Sequence, residues 1–201
     1  AGVATASPLQ GLSVDHLGNV MGNGETYRLY VDLDDGARVD AVYGNSASML
    51  MIAATQGSFY QSMFGGNTSL AINPALFPAL PSAEWDSYLT IGAIDQTGNP
   101  FSSNALLDIG MDYTAFGGGG ALMTSNGSWF VTPDDEQGGE LDGRVLIGQF
   151  TIAGGSGDGL QDLLVSVNLQ GKDADGVTWQ EFGIGLPVPA PSQSFFPGIY
   201  T

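Results

Sequence analysis

Cysteine is absent, histidine occurs once, at His16, and lysine plus arginine number four against 21 aspartates and glutamates. Each scarcity removes a class of function. Without cysteine there is no disulfide framework, thiol nucleophile or thiolate metal site. A chain of 201 residues does not need a staple, because a core of that size buries roughly 70% of the unfolded surface. Redox compartment therefore stays open. One histidine cannot furnish a zinc centre. It could act as a triad base only if its amino-terminal segment folded over a serine, and no G-x-S-x-G elbow is present, so a surface or strap position is expected for His16. The run "GGGG" lacks the Lys-Ser/Thr that completes a phosphate loop. No apolar run approaches the ~20 residues of a membrane-spanning helix.

Positive charge is missing over a long stretch, with no Lys, Arg or His between Arg38 and Arg144, and the formal net charge is −17. Proteins gain affinity for nucleic acid or anionic membrane by neutralising phosphates with Lys and Arg, so both are excluded as direct partners. A one-sided charge also repels itself unless salt or bound cations screen it, and at 1 M salt the Debye length is about 3 Å. A saline habitat suits such a chain, although simple solubility explains acidity equally well. The opening "AGVATASPLQG" has neither a basic n-region nor an apolar h-region; it matches what a signal peptidase leaves behind, which gives an extracellular or cell-surface expectation.

What the chain does have is enough apolar matter for a core, 43% hydrophobic and 10% aromatic residues, which argues against disorder. Glycine (31) and proline (10) are spread throughout, implying frequent turns. Between them the apolar period is two. "TYRLYVDL" places Tyr27, Leu29, Val31 and Leu33 on one face and Arg28, Tyr30 and Asp32 on the other. "DDG" at Asp34 to Gly36 predicts a tight turn, with "RVDAVYG" returning as the hairpin partner. Further strands are expected at Met49–Thr55, Trp85–Ile94, Gly120–Met123, Ser128–Thr132, Arg144–Ile152, Leu163–Leu169 and Val177–Ile184, the last two joined through "QGKDADGV" as a second hairpin. "NPALFPALPSAEW" holds at most a helical turn, and "AFGGGGALM" is either a close backbone approach or a flexible loop. The fold class expected is all-β, a β-sandwich or jelly roll of about nine antiparallel strands. Its parts are an extended amino-terminal strap (1–25), a sandwich domain (26–186) and a Pro-rich carboxy-terminal strap (187–201) carrying Phe195, Phe196 and Tyr200.

Candidate chemistry is sparse. The loop "TPDDEQGGELDG" gathers Asp134, Asp135, Glu136, Glu140 and Asp142, oxygen donors of the kind Ca²⁺ takes, though without the EF-hand spacing; a solvated loop is the plain alternative. Glu181 beside Trp179, and Glu84 beside Trp85, would suit the carboxylates of a glycoside hydrolase cleft, or simply face water. Asn67 and Asn126 begin glycosylation sequons, which matter only in a secreted eukaryotic protein.

The order of "YRLYV", "FGGN", "DSYLTIG" and "DGRVLIGQ", from about Thr26 to Leu186, resembles a domain recurring in secreted or surface proteins of marine bacteria and microalgae, in which "DSWVTIG" stands where this chain has "DSYLTIG". More loosely it resembles the β-rich proteins of the algal pyrenoid shell, which would imply a plastid location and self-assembly into sheets or tubes. No catalytic residues come with either resemblance. The function expected is a non-enzymatic structural subunit that self-assembles into an extracellular filament, surface layer or shell through strand edges and terminal straps. The alternatives are a calcium-dependent carbohydrate-binding or adhesive module using the acidic loop and an exposed Trp129 or Trp179, and a sandwich-fold glycoside hydrolase using Glu181.

Overall fold

The structure, a computed structural model, describes residues 7–187. In chain order the strands are β1 (Leu9–Gly18), β2 (Glu25–Leu33), β3 (Arg38–Gly44), β4 (Leu50–Ala54), β5 (Ser58–Phe59) and β6 (Tyr88–Leu89). There follow β7 (Leu107–Ile109), β8 (Leu122–Thr124), β9 (Gly127–Phe130), β10 (Arg144–Ala153), β11 (Leu163–Lys172) and β12 (Thr178–Ile184). These twelve, three more than expected, form two antiparallel sheets around one apolar core, so the fold is all-β and sandwich-like. The extra strands β1, β5 and β7 lie where the alternation is short or broken by glycine.

The first sheet runs β1, β2, β10, with β5 and β6 both on the free edge of β10. The second contains seven strands but is only five strands wide. β3 and β4 follow each other along β11, with Tyr43 opposite Asn168 and Met51 opposite Ser166. β8 and β9 follow each other along that broken strand in turn. The side-by-side order is thus β7, β9/β8, β3/β4, β11, β12. The break between β3 and β4 is held by Asn45, whose side chain accepts the N–H groups of Ala47 and Ser48 at 2.9 and 2.8 Å.

The alternation in β2 is as the sequence predicts: Tyr27, Leu29, Val31 and Leu33 are buried, while Arg28, Tyr30 and Asp32 are half-exposed. The turn that follows is also real, with Gly36 at φ 76 and Ala37 N–H donating to the Asp34 carbonyl at 3.1 Å. The expected hairpin is not. β2 pairs with β1 and β10, and β3 pairs with β9 and β11, so the turn carries the chain from one sheet to the other. Both edges of β2 are already taken, and Ala37 and Val39 enter the same core as Val31 and Leu33 from the opposite side. The second expected hairpin is present: β11 and β12 pair from Lys172 opposite Thr178, and Asp173 Oδ1 accepts the N–H groups of Asp175 and Val177.

Residues 9–18, expected within an extended strap, are instead the edge strand β1, paired along β2 from Leu9–Leu33 to Gly18–Thr26, with Leu12 buried. Of the carboxy-terminal strap expected at 187–201, residues 188–201 lie outside the described residues.

Outside the first sheet the chain makes a long excursion, from Tyr60 to Leu106, in which short 3-10 turns predominate and the strand expected at Trp85–Ile94 is reduced to β6, Tyr88–Leu89, paired with β10. Side chains take the place of ladder bonds there. Gln149 of β10 fills its amide on both sides: Nε2 donates to the carbonyls of Glu84 (2.9 Å) and Asp86 (3.1 Å), while Oε1 accepts from Arg28 Nε (3.1 Å). The Asp86 carboxylate accepts the N–H groups of Ser62 (2.6 Å) and Gly66 (2.8 Å), so the "FGGN" turn wraps around it. A Cβ on Gly65 would come within 1.8 Å of Asp86 Oδ2, which is why glycine stands there. Ser87 Oγ accepts the Thr151 N–H at 2.9 Å. The segments "FGGN", "DSYLTIG" and "RVLIGQ" are thereby the parts of one buried polar network that fastens the excursion to the sheet.

The glycine run is a close approach rather than a loose loop. Gly119 sits at φ 87 after a helical turn at Thr114–Gly117, and its carbonyl accepts the Phe59 N–H at 2.9 Å.

Candidate functional site

The two outer sheet faces differ. At the centre of the first, Gln149 and Thr151 point outward yet are almost fully buried under the excursion. Among the described residues nothing covers the outward face of the second sheet. In a pleated strand residues i and i+2 share a face, and inward positions are fixed by the core residues Val42, Trp129, Leu169 and Ile52. The outward positions are therefore Leu107 and Ile109 of β7, Ser128 and Phe130 of β9, Ala41 and Tyr43 of β3, and Gln170 and Gln180 of β11 and β12. Where the sheet continues, Met51, Met123 and Leu164 point the same way. None of these carries a charge. Arg38 and Lys172 lie opposite each other at one end of the sheet, and the carboxylate of Glu181 is on the side of β12 that pairs with core residue Leu169.

Several of these side chains are large and wet: Ile109 is 67% exposed, Phe182 54%, Leu107 and Leu164 48%, Met123 47%. The Phe182 ring stands edge-on to Tyr43 with centroids 6.3 Å apart, and Gln180 Nε2 donates to Gln170 Oε1 at 2.6 Å. Beside them Tyr43, Ser128 and Ile109 line a shallow depression of about 420 Å³. Burial raises the pKa of the Tyr43 phenol, so it stays a neutral donor at ordinary pH. Asn168 secures the β12 edge where the register slips: its Nδ2 donates to the carbonyls of Tyr43 and Ser48, and its Oδ1 accepts the Gly183 N–H. Among the described residues β7 pairs only with β9, which leaves its other edge unsatisfied by this chain.

In the acidic loop most of the carboxylates are engaged with the chain itself. Asp135 Oδ1 accepts the Gln137 N–H at the start of a 3-10 turn, and Glu136 Oε1 accepts both the N–H and the hydroxyl of Ser102, which hold its carboxyl below the ordinary value. Glu140 accepts from Gly36 N–H and Gly143 N–H, tying the loop to the turn between β2 and β3. Asp142, at φ 54, and Gly143, at φ 77, make a turn with two positive φ angles that leads into β10. Asp134 is exposed. Among the described residues no group of three or more His, Cys, Asp or Glu side chains is placed to hold a metal ion.

The tryptophans expected on the surface are in the core. Trp129 is fully buried, its Nε1 donating to the Thr90 carbonyl at 2.9 Å, and Trp179 is 7% exposed. An indole is too large an apolar surface to leave out of a sandwich core. Glu181, on β12 in the second sheet, and Glu84, in the excursion over the first, are not brought together. His16 lies on β1, stacked on Tyr27 (5.1 Å) and bonded to Glu25 at 2.6 Å. The nearby Ser156 hydroxyl donates to Asp162 Oδ1 at 2.8 Å. Burial raises the Asp162 pKa, but donors from Tyr27, Ser156 and Gln56 outweigh it and hold the carboxyl below the ordinary value. This cluster knits the end of the sandwich together.

Neither the protein-family models, nor curated proteins, nor solved structures include a match to this chain.

Proposed function

We propose that this chain is a structural subunit rather than a catalyst, assembling with copies of itself through the outward face of the second sheet and its β7 edge. One observation carries the proposal: in a chain of net charge −17 the outward positions from Leu107 and Ile109 across to Gln180 and Phe182 carry no carboxylate, the charges of Lys172 and of Arg38 with its partner Asp40 lying at one end of the sheet. Two polyanions repel wherever carboxylates face each other, and burying an unpaired carboxylate is costly. Here no carboxylate has to be desolvated. Five strand widths by the ten residues of β11 give a face of about 24 Å by about 30 Å, on the order of 700 Å², close to the ~800 Å² per partner of a standard interface. Full burial of a large apolar side chain stabilises by about 1.5–3 kcal/mol, so half-exposed Ile109 and Phe182 each contribute roughly 1 kcal/mol or more to such a contact. Face-to-face contact closes as a dimer; pairing at the β7 edge extends dimers into a filament, layer or shell. An extracellular or cell-surface location fits this use.

Because the driving contact is apolar and the opposition is charge repulsion, assembly strengthens as salt rises. Sedimentation velocity and electron microscopy of the purified chain across a NaCl series test this. Ordered oligomers are expected at high salt, and Ile109→Glu or Phe182→Glu should return them to monomer without altering the far-UV spectrum. A wild type that remains monomeric at high concentration in ~1 M salt, where screening is nearly complete, overturns the proposal.

The depression near Tyr43, with its ring pair and the Gln170–Gln180 amides, favours a neutral carbohydrate as the second reading, since sugars are held by aromatic faces and amide groups. Binding of that kind is insensitive to salt and to loss of the acidic-loop carboxylates.

A further inference from the structure

Two of the chain's four cations, Arg28 and Arg144, line one cavity of about 300 Å³ on the outer side of the first sheet. Tyr30 and Leu146 share its floor, and Pro100 and Phe101 of the excursion form a wall. The two arginines are not equivalent. Arg144 is fully engaged: its Nη1 and Nη2 fork onto the Asp15 carboxylate at 2.9 and 3.1 Å, and its guanidinium lies 4.2 Å from the centre of the Tyr30 ring. Arg38, elsewhere, is paired with Asp40. Arg28 is different. Its Nε is fixed by Gln149 Oε1, and among the described residues no carboxylate lies within 4 Å of it. Asp15 is its direct neighbour across the β1–β2 ladder, yet Asp15 turns its carboxylate to Arg144. In a chain where acids outnumber bases 21 to 4, a half-buried guanidinium without an acid partner is an anomaly.

We propose that this cavity binds a small monocarboxylate with a ring-sized body, its carboxylate on the Arg28 guanidinium and its body against Phe101, Pro100 and Tyr30. A planar carboxylate matches the guanidinium fork, and pockets from about 300 Å³ upward accommodate small ligands. A phosphate dianion does not suit the site. Only one guanidinium is without an acid partner, Asp142 is also in the lining, and the chain as a whole repels anions. The ligand is either a free aromatic acid or a uronic acid, two sources of one chemistry.

The test is titration of the full chain, followed by two-dimensional NMR, with benzoate and D-glucuronate and with their neutral counterparts benzyl alcohol and D-glucose. Saturable shifts at Phe101, Tyr30 and Arg28 Nε–H are expected with at least one acid and not with its neutral counterpart; which acid binds identifies the source. Arg28→Gln should weaken binding by at least about ten-fold, the loss expected for one charge-assisted hydrogen bond, with Arg28→Lys intermediate. Should Arg28→Gln fail to fold, Phe101→Ala serves instead, since it removes the wall without touching Gln149. Absence of saturable binding by both acids, equal binding of the neutral compounds, or unchanged affinity in Arg28→Gln or in Phe101→Ala overturns the proposal.

Discussion

Replacing Asp86 by Asn should remove one titration from the stability of the protein and expose its size. Asp86 is fully buried under the "FGGN" turn. Burial pushes its pKa up from 3.8 to about 6, against the pull of the N–H groups of Ser62 and Gly66. The folded protein therefore holds this proton more tightly than the unfolded chain. The resulting stabilisation is complete below the unfolded pKa of 3.8 and is lost as pH rises through about 6. A rise from 3.8 to about 6, at about 1.4 kcal/mol for each pH unit, makes about 3 kcal/mol. Asn cannot titrate, while every other acid is common to both proteins. The unfolding free energy of wild type minus that of Asp86→Asn should thus fall by about 3 kcal/mol between about pH 3 and about pH 8. Urea unfolding followed by tryptophan fluorescence, at constant ionic strength and closely spaced pH values, measures it. A difference that is flat over this range, or that grows with pH, would mean that the peptide donors outweigh burial, and the reasoning fails.

Three further outcomes follow from the polar fastenings. Gln149→Leu leaves the Glu84 and Asp86 carbonyls and Arg28 Nε without partners and should cost about 2–4 kcal/mol in urea unfolding. Glu140→Ala releases Gly36 N–H and Gly143 N–H and should cost about 1–2 kcal/mol, visible as a lower urea midpoint with an unchanged m-value. Gly65→Ala forces its Cβ into the Asp86 carboxylate, and should destabilise by roughly 2 kcal/mol or more, with faster hydrogen exchange confined to the excursion.

The strands that the sequence displays most openly are those buried on one face only. In β2 the apolar and polar positions alternate without interruption, and burial follows the same rhythm. Pairing is a different matter. Nothing in "LDDGARV" distinguishes a hairpin from a turn that crosses between sheets, because Asp-Gly answers to local φ angles, whereas the partner of β2 depends on which strands reach its edges first. β1 is visible only as Leu12 and Val14 two apart in a glycine-flanked segment, although "GNVMGNG" supplies the turn that returns it to β2. The four pieces of the two split strands are each legible as separate strands, but not that they run end to end: Asn45 and Gly127 interrupt the period just where the ladder resumes in the neighbouring register. Likewise "DSYLTIG" has strand composition, but Asp86, Ser87 and Thr90 bond through their side chains, and only Tyr88 and Leu89 join the ladder.

The acidic loop is dense in carboxylates, yet Asp135, Glu136 and Glu140 accept N–H groups, Asp142 stands in a turn and Asp134 faces water, and density alone says nothing about convergence. The more informative signal was quieter. In "DAVYG", "GSWF" and "VTWQEF" the residues flanking the core positions Val42, Trp129 and Trp179 are alanine, tyrosine, serine, phenylalanine, threonine and glutamine at the outward positions, without an acid, in a chain rich in acids. β10 shows what such a composition means when the cover is present: its outward Leu146, Gln149 and Thr151 are uncharged because the excursion lies over them. The second sheet has the same uncharged outward composition and, on its exposed Ile109, Leu107 and Phe182, no cover from the described chain. A face built like a buried one and left open by the described residues is the observation on which the proposed self-assembly rests, because a second copy would offer the same uncharged surface in return.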